Sequence, residues 1–498
     1  MANPISSSLA RLFLIEGRAR ADHRPTYESC IKPGAPSQDF GDVTPIRCPD
    51  PKRYGEFVEI GRIKGQKSRV TMTISGRYFL DTKSKLLRLA TLGCPIDLQI
   101  HYGQCQDASD FNSFDKIAIL EDVEITNWQT DEQGAFDGDE NNPVNESADV
   151  SAERIYEFIP LTFSNKAGDV ISNELIDVVV CDAVSCGTCE SESGGCNKIY
   201  ALSKAAGGSP STPADIVFSV DKGANWYAHD VDSLNAAEEP SGLACFGNYL
   251  VVVSNDSASL HYALKSDITP TNDEEWAEVA TGFVAGGEPR AVWGGDDYLY
   301  IVGDGGYIYR TNDVTSGVSV LDAGAALTDD LQAVHGLDDN FVVAVGNASA
   351  VVKTENGVNW SEVTTVPTGV GVNYTSVWVK STKEWFIGAD DGYLYVTVDG
   401  GSSWITKTIS SVSDTINDIK FSTNSIGYLS LTTTTTKGRV YQTVDGGYTW
   451  VALPQGSGIL PAADRFTAIA TCEYDPDFLI AVGLDDSGTD GILLVGEG

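Results

Sequence analysis

Basic residues are scarce in this chain. Lys and Arg number 33 against 70 Asp and Glu, a formal net charge of -37 over 498 residues. Wrapping nucleic acid by phosphate neutralisation needs a basic face, so that class is disfavoured, as is a polybasic membrane anchor. Long apolar runs are missing too. No stretch approaches the roughly 20 residues of a spanning helix, which points away from membrane insertion. The apolar stretch Leu9 to Ile15 is broken by Arg11 and has no basic segment before it, so no signal peptide is expected. Histidine (5) and methionine (2) are rare, and His23, His101, His229, His261 and His335 show no paired metal-ligand spacing. No Gly-rich loop precedes a Lys-Ser/Thr pair, and no nucleophile elbow is present.

What is abundant is glycine (50 residues) and short β-branched runs; hydrophobic residues make up 42%, enough for large cores. The length suits about two to four domains. Residues 1–180 carry 19 basic and 28 acidic residues, whereas 181–498 carry 14 and 42, so the acidity is concentrated in the second part.

That second part repeats. Ser219-x-Asp221-x-Gly223-x-x-Trp226, Thr397-x-Asp399-x-Gly401-x-x-Trp404 and Thr443-x-Asp445-x-Gly447-x-x-Trp450 share one motif. Thr354-x-Asn356-Gly357-x-x-Trp360 is a copy one residue shorter. Two decayed copies lead to Trp276 and Val320. The resulting period of about 40–50 residues matches one four-stranded propeller blade. Short strands such as Phe341–Gly346 and Ala350–Lys353 flank the motif, which places it in the turn between the third and fourth strands. There the Asp or Asn bonds backbone amides, Gly takes positive φ and Trp packs between blades. Six motif positions, a first segment with two strands before its Trp, and box-free strands in the tail after Phe466 predict seven blades, with six as the alternative.

The pattern resembles the Asp-box (BNR) repeat over about residues 197–498. The resemblance implies a β-propeller in which the boxes are structural turns remote from any active site, so these sixteen residues carry architecture and no catalytic residue is assigned. Asp-box propellers include sialidases, which need a cluster of arginines. Only Arg290, Arg310, Arg439 and Arg465 lie in this region, and they read as strand residues. Pairs of carboxylates for a general glycosidase arise by chance among 42 acids and read first as turns. The chain is expected not to be an enzyme.

The first part reads as a different β-rich domain. Val70, Met72 and Ile74 alternate along a strand; Asp81–Leu92 has helical spacing; strands follow at Ile96–Tyr102, Lys116–Trp128 and Arg154–Phe163. Between the last two, Asp131–Glu153 is polar and acidic and is read as a long loop. Its Asp137-Gly-Asp139-Glu-Asn141 start of a calcium loop lacks the needed Gly at Asn142. Over about residues 50–180 this order resembles the tail tube (major tail) proteins of long-tailed phages, carried by Ile117–Trp128, the acidic loop and Ile155–Phe163. The resemblance implies a β-sandwich that assembles into hexameric rings, with trimeric rings as the alternative, stacked into a tube through which genome DNA passes without specific binding. The Asp131–Glu153 loop or the arm at 1–50 would lock adjacent rings, other tail proteins would be partners, and the location would be the virion tail, assembled in the host cytoplasm. The propeller would decorate the outside, with host-surface glycans as a ligand class.

Ten cysteines are many for a cytosolic β protein, and four of them, Cys181, Cys186, Cys189 and Cys196, cluster at the expected junction 181–197. Disulfides, a zinc site and free thiols all fit, while an iron–sulfur centre lacks a flanking redox domain. No cofactor is otherwise expected. The division read from sequence is therefore 1–180, the junction 181–197, and the propeller 198–498. Two rivals remain at this stage: a glycan-binding or glycan-hydrolysing tail appendage, and a propeller assembly factor of the photosystem II assembly type.

Overall fold

The computed structural model describes residues 11–498 except 17–25, 28–30, 34–35, 38–42, 50–56, 65–68, 79–86, 88–89, 92–95, 103–113, 132–143, 167–172, 182–195, 205–213 and short turns at 235–237, 256–257, 273–274, 322–326, 368–370, 412, 435–436, 456–459, 473–474 and 486–489. The chain divides into two compact units, Met1–Pro160 and Leu161–Gly498. The boundary thus falls some twenty residues before the position read from sequence.

Unit one contains β1 (Arg11–Glu16), β2 (Thr26–Tyr27), β3 (Ile31–Pro33), β4 (Val43–Pro49), β5 (Phe57–Lys64), β6 (Val70–Tyr78), β7 (Ile96–Tyr102), β8 (Lys116–Asp131), β9 (Val144–Ala152) and β10 (Arg154–Phe158). Eight strands form one sheet in the order β2-β1-β7-β8-β9-β6-β3, with β10 also on β8, and β4 and β5 pair separately. The long β8 belongs to both halves of this sheet. Its first half pairs with β7 and β10, and its second half pairs with β9. At the change Asp122 takes φ of 51° and donates its N–H to Asp97 Oδ1 at 3.1 Å. A bulge of this kind bends and twists a strand. Val70, Met72 and Ile74 of β6, Leu98 and Ile100 of β7, Leu120 of β8 and Val150 of β9 then meet in one buried cluster.

Two expectations change here. Much of the expected loop is strand: β9 pairs along its whole length with β6 and over most of it with β8. Its inward positions are Glu146, Ala148, Val150 and Ala152, and the Trp128 indole donates to Glu146 Oε2 at 2.9 Å. A buried, hydrogen-bonded carboxylate and two alanines give alternation without a hydrophobic signal. The calcium-loop residues 137–142 lie outside the described residues. Part of the expected arm is also in the sheet, since β1 pairs with β7 from Arg11↔His101 to Glu16↔Ile96. Of the expected helix, Leu87, Ala90 and Thr91 are helical, and the rest lies outside the described residues.

Unit two is a β-propeller of seven four-stranded antiparallel sheets. The first strands of blades one to seven are Leu175–Val180, Pro240–Phe246, Pro289–Gly294, Leu331–Gly336, Tyr374–Val379, Thr415–Phe421 and Ala463–Cys472. Each neighbours the next, and the seventh neighbours the first, so the ring is closed. Blade seven takes its outermost strand, Thr162–Asn165, from the start of the unit and the other three from the chain's end. Thus Thr162–Asn165 and Leu175–Val180, placed in the first domain or at its border by the sequence reading, belong to the propeller.

Every inner strand has a register shift at the same place, leaving Ile176, Ser241, Arg290, Gln332, Thr375, Asn417 and Thr467 as the bulged residues. Four of them stitch their blade to the next by donating to a backbone carbonyl. Ser241 reaches Pro289 at 2.8 Å, Asn417 reaches Phe466 at 2.7 Å, Thr375 reaches Ile416, and Thr467 reaches Leu175 at 2.6 Å across the closing seam. Bulges re-aim side chains, and here they satisfy buried edge carbonyls that an isolated sheet would leave bare.

Candidate binding site in the propeller channel

The repeated motif folds the same way in its three complete copies. In blade one Ser219 Oγ donates to Asp221 Oδ1 (2.8 Å) and accepts from the Gly223 N–H (2.8 Å), while Asp221 accepts from the Asn225 N–H (2.8 Å). Thr397, Asp399 and Gly401 repeat this with Ser403, and Thr443, Asp445 and Gly447 with Thr449. The shorter copy keeps it, with Asn356 Oδ1 accepting from the Asn359 N–H at 2.8 Å beside Thr354. The decayed copy around Thr311 and Asp313 keeps part of it: Thr311 Oγ1 accepts from the Asp313 N–H, and Asp313 Oδ1 accepts from the Thr315 N–H, both at 3.0 Å. Gly223, Gly357, Gly401 and Gly447 all have φ between 70° and 98°. Hydrogen bonds hold the Asp399 carboxyl below its ordinary range, whereas burial pushes that of Asp445 up. Every oxygen is committed to the turn, and Trp226, Trp360, Trp404 and Trp450 follow at the start of, or just before, the fourth strand. Trp226 packs in the cluster shared with blade seven, and Trp360 stands edge-on to Tyr300 of blade three.

The cysteine cluster does not gather into one site. Cys181 ends the first inner strand and is bonded to Cys245 of blade two, and Cys196 is bonded to Cys472 of blade seven. Two of the four candidate zinc ligands are therefore committed to bridges with cysteines outside the cluster. Cys186 and Cys189 lie outside the described residues. The four arginines do not converge either. Arg290 pairs with Asp304 (2.6 and 2.9 Å), Arg310 donates to Gly357 O (2.7 Å), Arg439 donates to Gly438 O (3.1 Å) and Arg465 pairs with Glu174 across the seam. His261 is buried between Ser233 and Ser259, and burial holds its pKa down to about 4.

The sequence reading missed the channel. Three layers of inner-strand residues surround a cavity of about 520 Å³. The bulged residues form the first layer. The second is Asp177, Gly242, Ala291, Ala333, Ser376, Asp418 and Ala468. The third is Val179, Ala244, Trp293, His335, Trp378, Lys420 and Ala470. Asp177 accepts from the N–H groups of Val178 and of Leu243 in blade two, both at 2.8 Å. Asp418 accepts from Ile419 N–H (2.8 Å), from Ile469 N–H in blade seven (3.1 Å) and from Lys420 Nζ (3.0 Å). Burial raises the Asp177 carboxyl to about 6, against the pull of Lys420. His335 packs against Trp378, centroids 4.0 Å apart and planes tilted by 33°, and lies 5.9 Å from Trp293. Its Nδ1 accepts from the Val379 N–H at 3.1 Å, and burial lowers its pKa to about 3, so it is a neutral ring at pH 7. Lys420 Nζ stands 5.8 Å from the Trp378 ring centroid.

The chemistry available is that of a binding pocket: an aromatic wall, two carboxylates, one ammonium and the Asp304-paired guanidinium of Arg290, in a volume typical of small-molecule sites. A sequence signal for it existed. The inner strands read Ile176-Asp-Val-Val, Ser241-Gly-Leu-Ala, Arg290-Ala-Val-Trp, Gln332-Ala-Val-His, Thr375-Ser-Val-Trp, Asn417-Asp-Ile-Lys and Thr467-Ala-Ile-Ala, a second repeat with a small or Asp residue, then an aliphatic, then the channel residue.

No family model matches the chain, and no curated protein matches it. Solved structures do resemble it. U3-55K is 12% identical over 68% of this chain and 98% of that one, with a TM-score of 0.50. YCF48 from Cyanidioschyzon merolae is 15% identical over 68% and 99%, at 0.48. The WD40 β-propeller domain of Doa1 is 11% identical over 66% and 96%, at 0.45. At such identities the likeness is one of fold.

Proposed function

We propose that the chain is a structural virion protein, a tail tube subunit of a long-tailed phage, whose first unit assembles into stacked rings and whose second unit is an Asp-box propeller displayed on the outside. The observation that carries this reading is the sheet of unit one. Among the described residues β2, β3 and β10 each pair on one side only, which leaves strand edges for neighbouring copies to cover. The long, bent β8 supports the reading, because the tail-tube resemblance implies long strands in this region. Six subunits per ring is the expected closure. Residues 1–180, with 19 basic and 28 acidic residues, have the sign that lets DNA slide without sticking, but most of the acidity lies in the propeller. The motif turns support the Asp-box reading, because their oxygens serve the turn and leave nothing for chemistry. Bridges such as Cys181–Cys245 suit a particle that persists outside the cell.

The test is negative-stain electron microscopy of the purified full-length protein. Rings or tubes bearing external knobs support the proposal. Discrete monomers or compact trimers at every concentration overturn it, and compact trimers would move the assignment to a glycan-binding appendage.

A further inference from the structure

The third layer of the channel breaks the sevenfold pattern of the fold. Four of its seven positions are Val179, Ala244, Ala470 and Lys420, while three adjacent blades supply Trp293, His335 and Trp378. Closing the ring does not require aromatic side chains there, since alanine and valine serve in the neighbouring blades. The rings are in mutual contact along one wall, and the small residues opposite leave the space open. In the second layer the carboxylates are likewise confined to one side, with Asp418 in blade six and Asp177 in blade one. Ala468 of blade seven lies between them.

The charges select among ligands. Asp177 and Asp418 face Lys420 and Arg290, and Arg290 is already held by Asp304, so within a strongly acidic unit the lining works against an anion. Lys420 occupies the cation position beside Trp378 and works against a second cation. A flat apolar face beside groups that accept and donate hydrogen bonds fits a neutral sugar ring: its C–H face stacks on indole or imidazole, and its hydroxyls donate to carboxylates and accept from an ammonium. Among the described residues Lys420 Nζ bonds only Asp418, which leaves donors for a hydroxyl.

We propose that the channel is a binding site for a neutral sugar of one or two rings, with Trp378, His335 and Trp293 as the stacking wall and Asp177, Asp418 and Lys420 as the hydroxyl partners. The site gives the outward-displayed propeller of the proposed function a ligand and rests on the propeller alone. Sugar binding by a protein that forms no rings would keep the site and remove the tail-tube reading; ring formation without sugar binding would do the reverse.

The experiment titrates the full chain with lactose, maltose, cellobiose and N,N′-diacetylchitobiose, read by tryptophan fluorescence and by saturation-transfer NMR. Saturable binding of at least one of them at millimolar concentration is expected. Trp378→Ala should weaken it about tenfold or more. Lys420→Met, which leaves the aromatic wall in place, should weaken it by a similar factor of about ten, so the test does not depend on one variant's folding. Asp215→Asn, on the flank of blade one, should leave it unchanged. Absence of binding to all four sugars, or binding indifferent to both channel variants, would overturn the proposal.

Discussion

Removing the bridge at the closing seam of the propeller, in the double variant Cys196→Ser with Cys472→Ser, should be the costliest disulfide loss in the protein's second unit among the described residues. The bridge joins positions 276 residues apart, and the Cys181–Cys245 bridge joins positions 64 apart. Chain entropy alone gives about 5–6 kcal/mol for the longer loop and about 4 for the shorter, a difference of about 1.3 kcal/mol. The native seam survives the loss of the bridge. Thr467 still bonds Leu175 O, Arg465 still pairs with Glu174, Lys222 Nζ stays 2.5 Å from Asp475 Oδ2, and Thr162–Asn165 still completes blade seven. The effect should therefore lie in the unfolded state, lowering the urea midpoint by an amount equivalent to about 5 kcal/mol with little change in the folded spectrum. The assay is urea unfolding followed by tryptophan fluorescence, to which unit two contributes every tryptophan but Trp128. An unchanged midpoint, or a loss of Cys181–Cys245 that costs as much or more, would refute the reasoning.

Three further outcomes follow from the packing. Gly447→Ala combines φ of 98° with a Cβ placed 2.5 Å from Phe386 of blade five, and should cost about 3 kcal/mol, whereas Gly371→Ala has φ of 81° and open space and should cost about 1, both read from thermal melts. Thr467→Val removes the bond across the seam and should cost about 1–2 kcal/mol in the same assay. Asp215 faces Asp230 across a strand pair, and burial followed by that neighbour raises its pKa from 3.8 to about 7. The folded state then holds its proton more tightly than the unfolded one, so the pair weakens the fold progressively as pH rises from about 4 to about 7. Asp215→Asn should raise the melting temperature at pH 8 and leave it unchanged at pH 4.

The repeat was legible because the motif must satisfy its own turn. Ser219, Asp221 and Gly223 are fixed by local hydrogen bonds and by backbone conformation, so the same residue types recur at Thr397, Asp399 and Gly401 and at Thr443, Asp445 and Gly447 and can be read without the fold. Blade seven has no such turn, since its outer strand comes from Thr162–Asn165, and it was visible only as three unassigned strands. The first unit was harder to read. In β9 the inward residues Glu146 and Ala148 carry little hydrophobic signal, because a carboxylate bonded to Trp128 replaces an aliphatic side chain. The disulfide partners Cys245 and Cys472 lie far from the cluster in sequence, and only ring closure brings them to Cys181 and Cys196. The channel residues stayed hidden for a different reason. Trp293, His335 and Trp378 sit one to a blade on neighbouring inner strands, so nothing in local spacing joins them.

Self-association is the central claim, and sedimentation velocity of the full-length protein over a wide concentration range tests it most directly. The expected result is a ring species at six times the 53.1 kDa chain mass, with larger stacks as concentration rises. A single species at the chain mass throughout would contradict it.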